Sequence, residues 1–158
     1  VLDVNRECIK VSSELVSGGV SFSDLHNFSR QLLYQNLKQI GGFKELEKNI
    51  DKLYPHHVGH YLGLDLHDIP EISMGEKFQE NSVFTVEPGV YCPRDDSFVP
   101  KDFQGIGIRI EDNVSLLKNG QYENLTVEAV KEGDDIEALI SKGCVQRRYV
   151  SPITEPLL

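Results

Sequence analysis

Ser82-Val83-Phe84-Thr85-Val86-Glu87-Pro88-Gly89-Val90-Tyr91 is the stretch on which the fold turns, together with its counterpart Gly105-Ile106-Gly107-Ile108-Arg109-Ile110-Glu111-Asp112. Successive side chains on a strand point to opposite faces of the sheet. In the first stretch Phe84 and Val86 therefore share one face, and Val83, Thr85 and Glu87 the other. In the second, Ile106, Ile108 and Ile110 oppose Gly107, Arg109 and Glu111. If both aliphatic faces pack beneath helices, Glu87 and Glu111 line the opposite, concave surface. A half-solvated sheet showing ordinary polar residues to water explains either glutamate, or Arg109, taken singly.

Upstream, the helices that such a sheet needs are legible. Val4, Cys8, Ile9, Leu15 and Val16 recur at helical spacing, with Ser12 as a small break, and Gly18-Gly19 stops the pattern. Ser23 can cap a second helix, whose apolar stripe runs Leu25, Phe28, Leu32, Leu33, Leu37, Ile40 before Gly41-Gly42. After a charged stretch the pattern changes at Pro55, and from there to about Leu117 glycines, prolines and period-2 alternation predict short strands and turns. Lys118-Asn119-Gly120-Gln121 has the signature of a tight hairpin turn. Asp134 to Lys142 predicts one more short helix, closed at Gly143, and residues 145–158, with Arg147-Arg148 and two prolines, predict an irregular tail. Helices followed by an antiparallel sheet make an α+β domain.

Between the helices and the sheet lies Pro55-His56-His57-Val58-Gly59-His60-Tyr61-Leu62-Gly63-Leu64-Asp65-Leu66-His67-Asp68, which holds four of the five histidines. Imidazole binds transition metals and carries protons near neutral pH, and carboxylates such as Asp65 and Asp68 can orient a ring through its second nitrogen. His56 and His60 are four apart, but Pro55, Gly59 and Gly63 argue against a helix there, and no Glu follows the first His as a helical zinc-protease motif requires. Two carboxylates from adjacent strands and a histidine from a third segment make a set of ligands for divalent metal ions.

The bulk numbers exclude other classes. A chain of 158 residues is long enough to bury a core without a disulfide or structural metal. It has no apolar run long enough to cross a bilayer. The formal net charge of -9 opposes a nucleic-acid partner, which calls for clustered Lys and Arg. Cys8, Cys92 and Cys144 are odd in number and widely spaced, so a disulfide framework is not expected and a reducing compartment is. The chain opens at Val1 with no initiator methionine and no basic or apolar leader, the expectation for a processed form or a piece of a longer protein.

The string from His56 to Asp68 resembles the aminopeptidase P motif, and Thr85-Val86-Glu87-Pro88-Gly89 and Arg109-Ile110-Glu111-Asp112 are similar to that family's two glutamate motifs, in the same order and at fitting separations. Tyr54-Pro55-His56-His57-Val58-Gly59-His60-Tyr61-Leu62-Gly63 is most similar to the mitochondrial third aminopeptidase P and the intermediate-cleaving peptidases. The resemblance implies the C-terminal part of a pita-bread (creatinase/aminopeptidase) fold over residues 1–144, with helices outside a curved antiparallel sheet and the site on its concave side. It implies His60, Glu87 and Glu111 as metal ligands, Glu111 bridging two divalent ions, most simply Mn2+. It also implies Glu87 as the base that takes a proton from water, His56 and His67 as non-ligating residues that hold substrate and stabilise charge at the scissile carbonyl, and Arg109 as the residue that orients the carboxylates. The implied reaction removes the N-terminal residue of a peptide or a processed mitochondrial protein, often one followed by proline. A prolidase-like dipeptidase of the same fold and a catalytically silent binding or scaffold domain are the competing readings.

One departure matters. The family uses five ligands, two of them aspartates from a hairpin ahead of the helices, and those two are not found here: Asp3 and Asp24 sit in helical contexts. The segment alone is therefore expected to be inactive, and to complete its sheet with a missing N-terminal half or another copy.

Overall fold

The computed structural model describes residues 1–14, 19–118 and 121–141. Residues Val1–Glu128 form one compact unit, and a second begins at Ala129. The first unit opens with three helices, α1 (Leu2–Glu14), α2 (Phe22–Ile40) and α3 (Leu46–Leu53). Five short strands follow: β1 (Val83–Val86), β2 (Gly89–Tyr91), β3 (Gly107–Arg109), β4 (Asp112–Leu116) and β5 (Tyr122–Asn124). The second unit contains α4 (Gly133–Ser141), at the place where the acidic pair Asp134-Asp135 predicts a helix. Leu15, Val16, Gly18, Asn119-Gly120, Lys142, Gly143, Cys144 and the expected tail at 145–158 lie outside the described residues. The helices-then-antiparallel-sheet order is the expected α+β arrangement. None of the described helices is long and apolar enough to cross a membrane.

In α1, Val4, Cys8 and Ile9 are buried as the spacing requires. The break at Ser12 is itself buried, and its hydroxyl donates to the Ile9 carbonyl at 2.6 Å. Burial pushes the Cys8 thiol up to about 12, so it packs as a small apolar group. Asn5 donates from Nδ2 to the Val86 carbonyl at 2.9 Å and so ties α1 to the end of β1.

The cap of α2 is a correction. Ser21, not Ser23, caps the helix: its hydroxyl accepts from Asp24 N at 3.1 Å, and Asp24 Oδ2 accepts from Ser21 N at 3.0 Å, a complete capping box. Starting the helix there puts Phe22 in its first turn, where it is 2% exposed and sits edge-on to Phe78, Phe84 and Tyr61. The N–H of Ser23 is committed to the Met74 carbonyl. At the other end Gly41 takes φ +82°, a conformation that favours glycine, while its N–H closes on Leu37 O.

The stretch that reads as merely charged is the helix α3. It lacks a side-chain cap, and Glu45 at its start adopts a left-handed conformation, so no local start signal betrays it. Tertiary burial of Leu46, Ile50 and Leu53 supplies what propensity does not.

The two long strands expected at 82–91 and 105–112 are each interrupted, which is a second correction. β1 pairs with β4 (Val83↔Ser115 to Val86↔Asp112), and β2 with β3 (Gly89↔Arg109 to Tyr91↔Gly107). Both pairings are antiparallel in one unshifted register, so the interruption sets Glu87 opposite Glu111 and Pro88 opposite Ile110. Like charges directly opposite one another destabilise a ladder, and proline cannot donate to it. One bond survives in the gap, from Ile110 N to Pro88 O at 3.2 Å. β5 adds to β4 in antiparallel pairing.

The aliphatic face of the second strand is less covered than expected. Ile106 and Ile108 are 46% and 48% exposed, lining an open apolar hollow of about 670 Å³ with Leu33, Leu37 and Ile40 of α2 and with Phe43. Helix α2 walls this hollow without closing it.

Replacing Ser21 by Ala is expected to lower the unfolding free energy in urea by about 1 kcal/mol, whereas Ser23→Ala changes it by less than about 0.5 kcal/mol. The Lys77 ammonium, followed by the Ser21 hydroxyl and N–H, holds the Asp24 carboxyl down at about 2. Its stabilisation is thus present above the ordinary carboxylate range and is lost as pH falls through that range toward 2. Urea midpoints of the wild type and Asp24→Asn should converge over that acid window.

Candidate active site

Residues 58–62 lie antiparallel along β1 as an extra edge, although Pro55 and Gly59 keep them irregular. Glu87 N donates to Val58 O (2.7 Å), Thr85 N to His60 O (2.9 Å) and Leu62 N to Val83 O (3.0 Å). Tyr61 pairs with Phe84 and contributes its ring to the buried aromatic group of Phe22, Phe78 and Phe84. This pairing carries His60 to Glu87, with Nε2 3.2 Å from Oε1. The chain then loops outward through the exposed Leu64 and Leu66 and returns where Asp68 N donates to Tyr61 O, which brings His67 edge-on to His60 with ring centres 4.3 Å apart.

Glu87 is 7% exposed, yet both its oxygens have partners. Oε2 meets Arg109 Nη1 at 3.1 Å, and Oε1 accepts from the Thr85 hydroxyl at 3.0 Å. A buried carboxylate needs such compensation, and bonds to a charged donor are the strong ones. Arg109 also donates from Nε to the Tyr91 hydroxyl at 2.6 Å. A guanidinium only donates, so the tyrosine oxygen accepts there and its own proton goes to His56 Nε2, 3.1 Å away. His56 Nδ1 faces the His57 carbonyl at 2.8 Å and carries the ring's one N–H proton. Desolvation, then the Arg109 charge, hold His56 below the usual imidazole range against the opposing His57 carbonyl bond, so the ring stays neutral.

The ring nitrogens of His56 and His60 are oriented by main-chain carbonyls, which replaces the expectation that Asp65 or Asp68 would do so. For His60 the consequence is chemical. Its Nδ1 lies 3.0 Å from Tyr61 O, an acceptor, and therefore carries the proton. In the neutral ring Nε2 then has only a lone pair, aimed at a carboxylate oxygen. An imidazole nitrogen and a carboxylate oxygen at that distance are bridged by a proton, as an ion pair, or by a metal cation.

His56, His57, Gly59, His60, His67, Met74, Glu87 and Arg109 line one open cleft of about 730 Å³. Of the residues singled out in the sequence, His56, His60, His67, Glu87 and Arg109 thus meet on one surface. Glu111 stands in the joint between β3 and β4, opposite Glu87 by register. Partial burial, then the negative charge of Glu87, push its carboxyl above the usual range, partly offset by His60 and Arg109. Among the described residues no group of three or more His, Cys, Asp or Glu side chains is gathered closely enough to hold a metal ion. Thr85 and Tyr91 were not among the expected site residues. Both lie on the Glu87 side of the alternation, two residues before it and four after, which is the signal that points to them.

The chain belongs to metallopeptidase family M24, whose model matches residues 1–117. Membership of that family implies the use of a divalent metal. Among individual proteins, the chain is 46% identical over 143 residues to intermediate cleaving peptidase 55 of Saccharomyces cerevisiae, covering 90% of this chain and 27% of that protein. To human Xaa-Pro aminopeptidase 3 it is 37% identical over 147 residues, covering 90% and 28%. To mitochondrial intermediate cleaving peptidase 55 of Arabidopsis thaliana it is 40% identical over 145 residues, covering 91% and 28%. The crystal structure of the Saccharomyces cerevisiae peptidase superposes with a TM-score of 0.80 at 44% identity, over 90% of this chain and 33% of that one. Zinc-substituted aminopeptidase P of Escherichia coli in complex with product superposes at 0.72 and 32% identity, over 89% and 33%. The fold is accordingly the expected C-terminal part of a pita-bread domain. The chain spans about a quarter to a third of the length of these relatives.

A Cβ on Gly59 would lie 1.9 Å from the Thr85 carbonyl oxygen, so any side chain there pushes residues 58–62 off β1. Gly59→Ala should therefore cost roughly 2–4 kcal/mol in chemical denaturation. It should also abolish slow amide exchange at Thr85 and Glu87, read by NMR.

Proposed function

We propose that the protein containing this segment is a metal-dependent aminopeptidase of the Xaa-Pro aminopeptidase or intermediate-cleaving type. It removes the N-terminal residue from peptides or from processed proteins in the mitochondrion. The observation that carries the proposal is the approach of His60 Nε2 to Glu87 Oε1 at 3.2 Å, with the ring's other nitrogen committed to a carbonyl. Imidazole and carboxylate donors with a second glutamate opposite suit a divalent ion, which would offset the burial and the Glu87 charge that raise the Glu111 carboxyl. His60, Glu87 and Glu111 would hold such ions, two in number and most simply Mn2+.

When bound, the ions would polarise the scissile carbonyl and lower the pKa of water. The chain's own residues do the rest. Glu87, already aligned by Arg109, is the carboxylate placed to take a proton. His56 and His67 line the same cleft as His60, and in this reading they hold substrate and stabilise charge at the carbonyl. Two aspartate ligands are not found in this chain, so we expect this segment to be inactive alone and to be completed by the remainder of a longer protein or by another copy. Chromatography with light scattering tests this, since a cooperatively melting monomer of the isolated segment would contradict it.

The absence, among the described residues, of a closed group of three ligands favours one second reading, a catalytically silent binding or scaffold domain. Titration of the full-length protein with Mn2+ separates the two, because a silent domain takes up none. A prolidase-like specificity would instead show as cleavage of a dipeptide with proline second in preference to a tripeptide. In the full-length protein Glu111→Ala should abolish both Mn2+ binding and hydrolysis. His67→Ala should leave metal content unchanged and lower kcat by on the order of 10²-fold. Equal metal loss in both variants would contradict these roles.

A further inference from the structure

The edge that seats His60 on β1 contains one diverted hydrogen bond. Thr85 and His60 are directly opposed, and Thr85 N donates to His60 O at 2.9 Å. A regular hydrogen-bonded antiparallel pair exchanges both bonds, so His60 N should return to the Thr85 carbonyl. It donates instead to the Thr85 side-chain hydroxyl, 3.1 Å away. The hydroxyl, its oxygen used as an acceptor, sends its proton to Glu87 Oε1 at 3.0 Å. That oxygen is the one facing His60 Nε2. Thr85 is 1% exposed, so solvent does not compete for these bonds.

The consequence is a closed loop of constraints. The main chain of His60, the Thr85 hydroxyl, the Glu87 carboxylate and the His60 ring each fix the next. We propose that Thr85 is a positioning residue whose hydroxyl holds the His60 imidazole and the Glu87 carboxylate at the separation a divalent cation requires. This rests on the metallopeptidase reading above and extends it to a side chain that touches neither metal nor substrate. Valine has nearly the shape of threonine and would preserve the strand while removing both bonds. Serine would keep both bonds and lose only a methyl group.

The test is calorimetric titration of Mn2+ into the full-length protein and its variants. Thr85→Val should weaken Mn2+ binding by about 10–100-fold, the range for groups that orient ligands from behind. Thr85→Ser should restore most of the affinity. Phe84→Leu, a change to the buried neighbour on the same strand, should lower Tm and leave Mn2+ affinity at the wild-type value. Should the valine variant not fold, Thr85→Ser against Thr85→Ala repeats the comparison, with serine expected to bind more tightly. Wild-type affinity in Thr85→Val, failure of serine to surpass valine or alanine, or a loss in Phe84→Leu matching that in Thr85→Val would each overturn the proposal. A wild-type protein that takes up no Mn2+ would overturn the metallopeptidase reading itself, an outcome distinct from a Thr85 failure, in which the wild-type titration is intact.

Discussion

Residues 58–62 laid along β1 are the contact on which the rest of the site depends. Three main-chain hydrogen bonds set their register, each contributing on the order of 1 kcal/mol net. The larger stabilisation comes from the apolar side of the same segment. Tyr61 packs edge-on against Phe22 and Phe78, which pack in turn on Phe84, and a fully buried large apolar side chain contributes roughly 1.5–3 kcal/mol. Burial therefore holds the segment in place, and the hydrogen bonds decide which of its residues meets which of β1. With that register His60 faces Glu87; a slip of one residue would turn its ring to the other face.

The polar side of the sheet is organised around a defect. The ladder between the two central strands breaks where Glu87 and Glu111 oppose each other and resumes beyond it in the same register. A continuous ladder would press two carboxylates together. The break gives them room, and Arg109 holds one of them in a charge-assisted bond. The same arginine reaches Tyr91 and through it His56, so the cationic and neutral groups of the cleft share one chain of donors that runs in a single direction. The irregular backbone and the functional side chains thus coincide where Glu87 and Pro88 meet Glu111 and Ile110.

Elsewhere the helices cover the sheet unevenly. The buried core lies between α1, α2, α3 and the strands, where Leu25, Leu53, Val58, Phe84 and Val114 are inaccessible. Ile106 and Ile108 remain half-exposed over an apolar hollow. The segment spans about a third of the length of its structural relatives.

Strand alternation in the sequence was enough to put Glu87 on the side of Thr85, opposite Phe84 and Val86. The stripe of α2 and the helical spacing of α1 were legible for the same reason, since each is a pattern among residues a few positions apart. What lay outside local pattern was decided by tertiary contact. Ser21 rather than Ser23 caps α2 because Phe22 must reach a distant aromatic group, and α3 forms because its apolar side is buried. The strand break follows from a pairing that only the folded sheet creates. The bonds that shape the cleft join residues 18 to 35 positions apart, as in Arg109 with Tyr91, His60 with Thr85 and His56 with Tyr91. Periodicity states which way a side chain points, but which partner it meets depends on how separate segments are aligned. That alignment is fixed by burial summed over the whole core.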